Sequence, residues 1–289
     1  MRVLYPAVLA IVIGSAPAAA DPNRDCSSPV AETTIKACTI LINNGRLKGQ
    51  QLAIAYNNRG AAHANQEDRE KAIADLSQAI RINPKYALPY ANRARSYSAL
   101  GQYDEAVRDI GVAINLSPAT VENYIVRAEI HERGNSHEAA LLDYGEAIKR
   151  RPTVAHYFFS RGSILHDLSR HEEALSDFSR AIELNPRNPS YYFGRGLSWA
   201  NAGKCDQAIP DYSQAIKLSP RFTNAYNNRG VCFSRAGKRD EAIADFQAAL
   251  KVDPGHDKAK RNLEAALGAP ATTPQPKLKP LPPIGEILR

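Results

Sequence analysis

Six arginines and six aspartates recur in fixed register along the chain. Arg59, Arg93, Arg127, Arg161, Arg195 and Arg229 are each followed sixteen residues later by Asp75, Asp109, Asp143, Asp177, Asp211 and Asp245. A guanidinium and a carboxylate can join through two parallel hydrogen bonds. Such a set can serve as an anion-binding stripe, or as a ladder of structural ion pairs that fixes the register of packed helices. Six identical copies on the inner side of the helices favour the structural ladder. Each aspartate has a second candidate partner, the arginine of the following copy.

The other reactive residues do not assemble into a catalytic motif. The seven histidines are dispersed, and none stands with a serine or cysteine in a nucleophile pattern. His166 and His171 with Glu172 offer only a weak metal set, on two different helices. Glu129 and Glu132 lie one turn apart like a general acid/base pair, but a solvated charged face explains them better. There is no phosphate-cradling glycine loop. The expectation is a protein that is not an enzyme, with no catalytic residue, cofactor or metal.

The elements that must position these residues follow a 34-residue beat. Pro84, Pro118, Pro152, Pro186, Pro220 and Pro254 mark it, and the copies run 53–86, 87–120, 121–154, 155–188, 189–222 and 223–256 without a gap. Repeat position 4 is Tyr56, Tyr90, Tyr124, Phe158, Tyr192 and Tyr226. Position 8 is glycine or alanine, and positions 20 and 27 are always alanine. Position 24 is large: Leu76, Ile110, Tyr144, Phe178, Tyr212 and Phe246. Positions 4, 8 and 11, and 20, 24 and 27, have helical spacing. Glycine at position 15 (Gly101, Gly203, Gly237) suits a break between two helices, and the proline at position 32 stops the second.

These residues resemble the tetratricopeptide repeat, over 204 of 289 residues. The resemblance implies an all-α, right-handed superhelical solenoid of six helix pairs, with N- and C-terminal capping helices and a concave groove lined by the first helix of each pair. It also implies non-covalent binding of a protein, as a peptide or a helix, in that groove. Groove positions would carry Asn57, Asn58, Asn92, Asn227 and Asn228, whose amides offer both donors and acceptors to a peptide backbone. The ladder breaks in the middle, where Ile125, Phe159, Phe193 and Leu197 with Glu129 and His166 suggest a central pocket with apolar and acidic walls. Arg95 stands nearly alone as a basic groove residue, so a carboxylate clamp of the heat-shock-chaperone kind is not expected. A structural or self-associating protein, using solenoid edges or its tail, is the alternative.

The ends and the composition add a location. Residues 1–20 read as a secretory leader: Arg2 precedes an apolar stretch, and Ala18–Ala20 offer a small-residue cleavage site. A retained anchor is the other reading of that segment. Residues 21–52 read as an N-terminal capping segment and 257–268 as a C-terminal capping helix. Residues 269–289, with six prolines, read as a disordered or extended tail. The net charge of +7 is scattered, with no run of five like charges, so nucleic acid is not an expected partner. No integral span is expected after leader removal. An exported chain, periplasmic or secreted, favours disulfides. Cys205 and Cys232 fall on neighbouring antiparallel helices and form one natural pair; Cys26 and Cys38 form the other. Free buried thiols are the alternative. Each closure stabilises by roughly 3–4 kcal/mol in the chain-entropy model.

Overall fold

The computed structural model describes residues 21–268. The leader read at 1–20 and the proline-rich tail at 269–289 lie outside the described residues. Among those described there are fifteen helices and no strand. The chain divides after Leu100 into two compact units.

In the first unit, α1 (Pro22–Asp25) and α2 (Ala31–Asn43) precede the long α3 (Gly49–Asn65), α4 (Arg69–Ile82) and α5 (Ala87–Ala99). Asp21 caps α1 by accepting from the Asn23 amide, with Pro22 at the first helical position. Helix α3 begins at Gly49, four residues ahead of the repeat frame, because nothing between Gln50 and Leu52 interrupts it. The boundary read at 52/53 therefore falls inside a helix.

The second unit carries α6 (Tyr103–Leu116), α7 (Val121–Arg133), α8 (His137–Arg150), α9 (Ala155–Asp167) and α10 (His171–Leu184). It continues through α11 (Pro189–Asn201), α12 (Cys205–Leu218), α13 (Thr223–Arg235), α14 (Arg239–Val252) and α15 (Asp257–Gly268). Within this unit α7 and α8, α9 and α10, α11 and α12, and α13 and α14 pack as antiparallel pairs, and each pair packs on the next.

The boundaries have a local cause. Each second helix stops two residues before its proline. Asn83, Ser117, Arg151, Asn185, Ser219 and Asp253, which precede the prolines, are extended with φ between −145° and −134°. A following proline ring clashes with a helical conformation at such a residue. Within each pair the chain reverses through one residue of positive φ. Gly101, Gly203 and Gly237 fill this place in three copies, and Glu67, Asn135 and Ser169 adopt the same conformation at φ 56–62° in the others.

The core is built by size complementarity. The alanines at positions 20 and 27 are fully buried in every copy, and so are Leu76, Ile110, Phe178 and Tyr212 at position 24. A Cβ on Gly60 or Gly230 would stand 2.8 Å from Leu76 or 2.7 Å from Phe246. Glycine is required there because the large residue of the second helix presses against the first helix's backbone. Burying each such side chain contributes about 1.5–3 kcal/mol.

Candidate functional site

Five of the arginines are paired with aspartate inside their own helix pair. Arg59 donates from Nε and Nη2 to both Asp75 oxygens at 2.7 Å. Arg127 with Asp143, Arg161 with Asp177, Arg195 with Asp211 and Arg229 with Asp245 repeat this geometry at 2.6–2.9 Å. The aspartates are buried. Hydrogen bonding to the carboxylate raises the pKa of each of these guanidinium groups, against the opposing effect of burial. The forked edge of each arginine is thus filled from within and does not face a ligand. Arg93 lies in the first unit and Asp109, also buried, in the second. Arg93 donates from Nη1 to Ser77 Oγ at 2.8 Å.

Both cysteine pairs are disulfides. Cys26–Cys38 ties the end of α1 to α2, with Cα atoms 4.7 Å apart. Cys205–Cys232 ties α12 to α13, with Cα atoms 5.2 Å apart.

On the first unit's α3 and α5 the asparagines form a chain of amides. Arg95 donates to Asn92, Asn92 to Asn57 and Asn57 to Asn58, at 3.4, 3.0 and 3.2 Å. Asn58 in turn donates to the Cys26 carbonyl at 3.1 Å and the Ser27 hydroxyl at 3.4 Å. Beside Asn58 a cavity of about 250 Å³ opens, lined by Asn23, Cys26, Ser27, Leu41, Leu47, Gln51, Ile54, Ala55 and Asn58. No charged side chain lines it. Leu41, Leu47, Ile54 and Ala55 give it apolar walls, and Asn23, Ser27, Gln51 and Asn58 neutral polar ones.

A second amide chain lies near the other end of the second unit. Asn262 donates to Asn227 at 2.9 Å and Asn227 to Asn228 at 3.0 Å. Asn227 and Asn228 are both buried. The Asn228 amide stands against the Tyr212 hydroxyl, yet neither atom has a well-directed partner.

The family can be read from these features together with the comparisons. A tetratricopeptide-repeat family model matches residues 53–86 and 223–256, a second matches 76–108, and a TPR-repeat model matches 162–203. The chain is a tetratricopeptide-repeat protein. Solved structures with the same helix-pair fold include YrrB, described as a TPR protein with an unusual peptide-binding site. It is 24% identical, with 64% of this chain and 96% of that one covered at a TM-score of 0.55. A MamA structure is 26% identical over 58% of this chain and 96% of that one, with a TM-score of 0.54. The C-terminal part of a TPR repeat-containing protein from Cytophaga hutchinsonii is 19% identical. It covers 72% of this chain and 83% of its own, with a TM-score of 0.62. No curated protein matches the chain.

The residues expected from the sequence to line a central pocket are placed differently. Phe193 and Leu197 are fully buried and line no open pocket. The Phe193 ring lies 4.7 Å from Phe222, the residue that precedes α13, and 5.8 Å from Tyr212 of α12. His166 is also buried. Its Nδ1 meets Ser198 Oγ at 2.8 Å, and Asn201 donates to its Nε2 at 3.3 Å. Ser198 itself donates to the Gly194 carbonyl, so a neutral ring with its proton on Nδ1 satisfies all three contacts. Burial, with His171 nearby, pushes the His166 pKa down to about 4. Phe159 is half-buried, its ring 5.0 Å from Tyr191 and 5.8 Å from Phe178. Ile125 is half-buried and Glu129 exposed. Among the described residues no group of three or more metal-ligating side chains comes together.

Two relations escaped the sequence reading. Asn262 continues the position-6 register into α15, one 34-residue step after Asn228, although α15 lies beyond the last full repeat. Position 6 also packs on position 24 of the preceding repeat. A Cβ on Gly194 would stand 2.9 Å from Phe178, Ser160 lies against the Tyr144 hydroxyl, and Asn228 lies against that of Tyr212. The signal was present as a second sixteen-residue spacing, from position 24 to the next position 6.

Proposed function

We propose that this tetratricopeptide-repeat protein is a non-enzymatic scaffold or adaptor of the cell envelope that holds a protein partner through an extended peptide. Proteins of this repeat type bind protein or peptide partners. The observation that carries the reading is the neutral cavity beside Asn58, adjoining the amide chain Asn57–Asn92–Arg95. A cavity of that size takes one apolar side chain. The amides, held by one another, present fixed polar atoms to the peptide backbone on either side. The described peptide-binding character of YrrB supports the same use of this fold. In the second unit, Phe159, Ile125 and Glu129 are the residues this reading assigns to partner contact.

An exported location, periplasmic or secreted, is supported by the two disulfides, which persist in oxidising compartments. The leader-like composition of residues 1–20 agrees with it. No helix among the described residues is long and apolar enough to cross a membrane.

The test is crosslinking capture from an envelope fraction with the full chain, Ile54→Glu, and Asn92→Ala/Phe159→Ala. Partners captured by the full chain are expected to be lost when Ile54→Glu places a charge in the cavity. Recovery of the same partners, in the same yield, by both variants overturns the groove assignment. Cell fractionation, with thiol-alkylation mass spectrometry on the isolated protein, checks export and both disulfides.

A further inference from the structure

The arginine ladder has a second set of contacts that is not uniform. Besides its aspartate, an arginine can reach the second helix of the preceding pair with Nη1, at repeat position 25. Arg93 reaches Ser77 at 2.8 Å, Arg195 reaches Ser179 at 3.2 Å and Arg229 reaches Ser213 at 2.9 Å. Before Arg127 and Arg161 the same position is held by Gly111 and Gly145. Among the described residues, neither of those Nη1 groups has a hydrogen-bond acceptor. Each arginine side chain retains 29% exposure.

These two glycines have no packing cause. A Cβ at Gly111 would meet nothing within 4 Å, and one at Gly145 only Arg161 Nη1 at 3.8 Å. The glycines at 60, 162, 194, 196 and 230 are different, since an added Cβ would press on core side chains within 2.7–3.1 Å. Glycine is the least favourable helix-interior residue after proline. Two of them in open space at matching positions of α6 and α8 leave room for a close approach to the helix backbone. Leu142, the most exposed large apolar residue described, lies three residues before Gly145 and so on the same face of α8. The acids of the neighbouring surface are already engaged: Glu146 by Lys149 and Arg150, and Glu138 and Glu173 by Arg170. What the patch lacks is acceptors.

We propose that the slots at Gly111–Arg127 and Gly145–Arg161 form a docking surface for an extended acidic peptide segment, whose carboxylates accept hydrogen bonds from the two open Nη1 groups. This surface lies between the second helix of one pair and the first helix of the next, α6 with α7 and α8 with α9, and does not include the cavity at Asn58. The two arginines stand one repeat apart, on α7 and α9, and a peptide in the extended polyproline-II form, with three residues per turn, presents carboxylates on one side about 9 Å apart. Charge-assisted hydrogen bonds to a half-buried guanidinium supply the selectivity for acids over amides.

The test uses a fluorescein-labelled peptide of repeated Glu-Gly-Ser units and its Gln-Gly-Ser counterpart, followed by anisotropy with the full chain. The Glu peptide is expected to bind, and the Gln peptide to bind about tenfold more weakly or less. Gly111→Ser/Gly145→Ser, which installs the hydroxyl the chain already uses at 77, 179 and 213, is expected to lower Glu-peptide affinity about tenfold while its melting temperature is kept or raised. Ser179→Gly/Ser213→Gly opens two more arginine edges and is expected to tighten binding. Equal binding of the two peptides, or unchanged affinity in both double variants, overturns the proposal. Ile54→Glu is expected to leave this binding intact, which separates it from the groove.

Discussion

In the first unit Asn58 turns its amide onto the Cys26 carbonyl, beside an open cavity; in the second unit its counterpart Asn228 turns toward the buried Tyr212 hydroxyl. Each is the third amide in a chain that starts one repeat later, at Asn92 or Asn262. The residue types match, and the surroundings decide what they do. Behind Asn58 lies the loop end of a short capping helix, held by a disulfide. Behind Asn228 lies an aromatic side chain of the preceding repeat. The position-6 residue therefore reports first on the element behind it, and only then on the open face. The same asparagine borders an open cavity in one unit and is committed to packing in the other.

The largest blow to both clusters comes from the ion pairs beneath them. Asp75→Ala and Asp245→Ala are each expected to cost about 3–5 kcal/mol, because each leaves a half-buried arginine without its carboxylate. Hydrogen exchange, read separately over 21–100 and 101–268, should show equal losses. A marked inequality means that the two clusters rest on different scaffolds. Replacing Cys26 and Cys38 by alanine separates the clusters instead. It should cost the first unit about 3 kcal/mol, release Asn58 and leave exchange around Asn228 unchanged.

Acid distinguishes the units through His166. Its folded pKa is about 4, below the unfolded value near 6.5, so the unfolded chain binds the extra proton first. The stability it contributes is complete above about pH 6.5 and is lost as pH falls through about 4, by roughly 3 kcal/mol in total. Exchange over α9–α11 should rise in that window, and His166→Gln should flatten the dependence. At smaller scale, Asn58→Ala should cost about 1–2 kcal/mol by leaving the Cys26 carbonyl without its donor. Asn228→Ala should cost less, since its amide has no well-directed acceptor. Smallest of all, Tyr212→Phe should fall within about 0.5 kcal/mol of the parent, because Phe178 and Phe246 fill the equivalent place. Thermal melts check all three.

Much of this arrangement is legible in the sequence. The prolines, the paired alanines and the sixteen-residue arginine–aspartate spacing are local or nearly local. Helical period carries them directly to one level of one helix pair. What is not legible depends on the neighbouring pair. Phe193 and Leu197 have the period of an open face, yet both are fully buried, with Phe222 and Tyr212 against the Phe193 ring. The period places a side chain on a face of its own helix and says nothing of how far the next helix leans across that face. Asn262 was missed for a different reason. A terminal helix read as a cap drew no register, although the 34-residue count reaches it.

The disulfide between Cys205 and Cys232 has a mechanical consequence. Under tension, a stack of helix pairs lengthens as its pairs come undone and their residues are drawn out. The 27-residue step between these cysteines is bypassed by the bond. About 90 Å of contour length is thereby withheld from extension. A partner pulling on this stretch meets a covalent stop between α12 and α13, where the rest of the array would pay out like a spring.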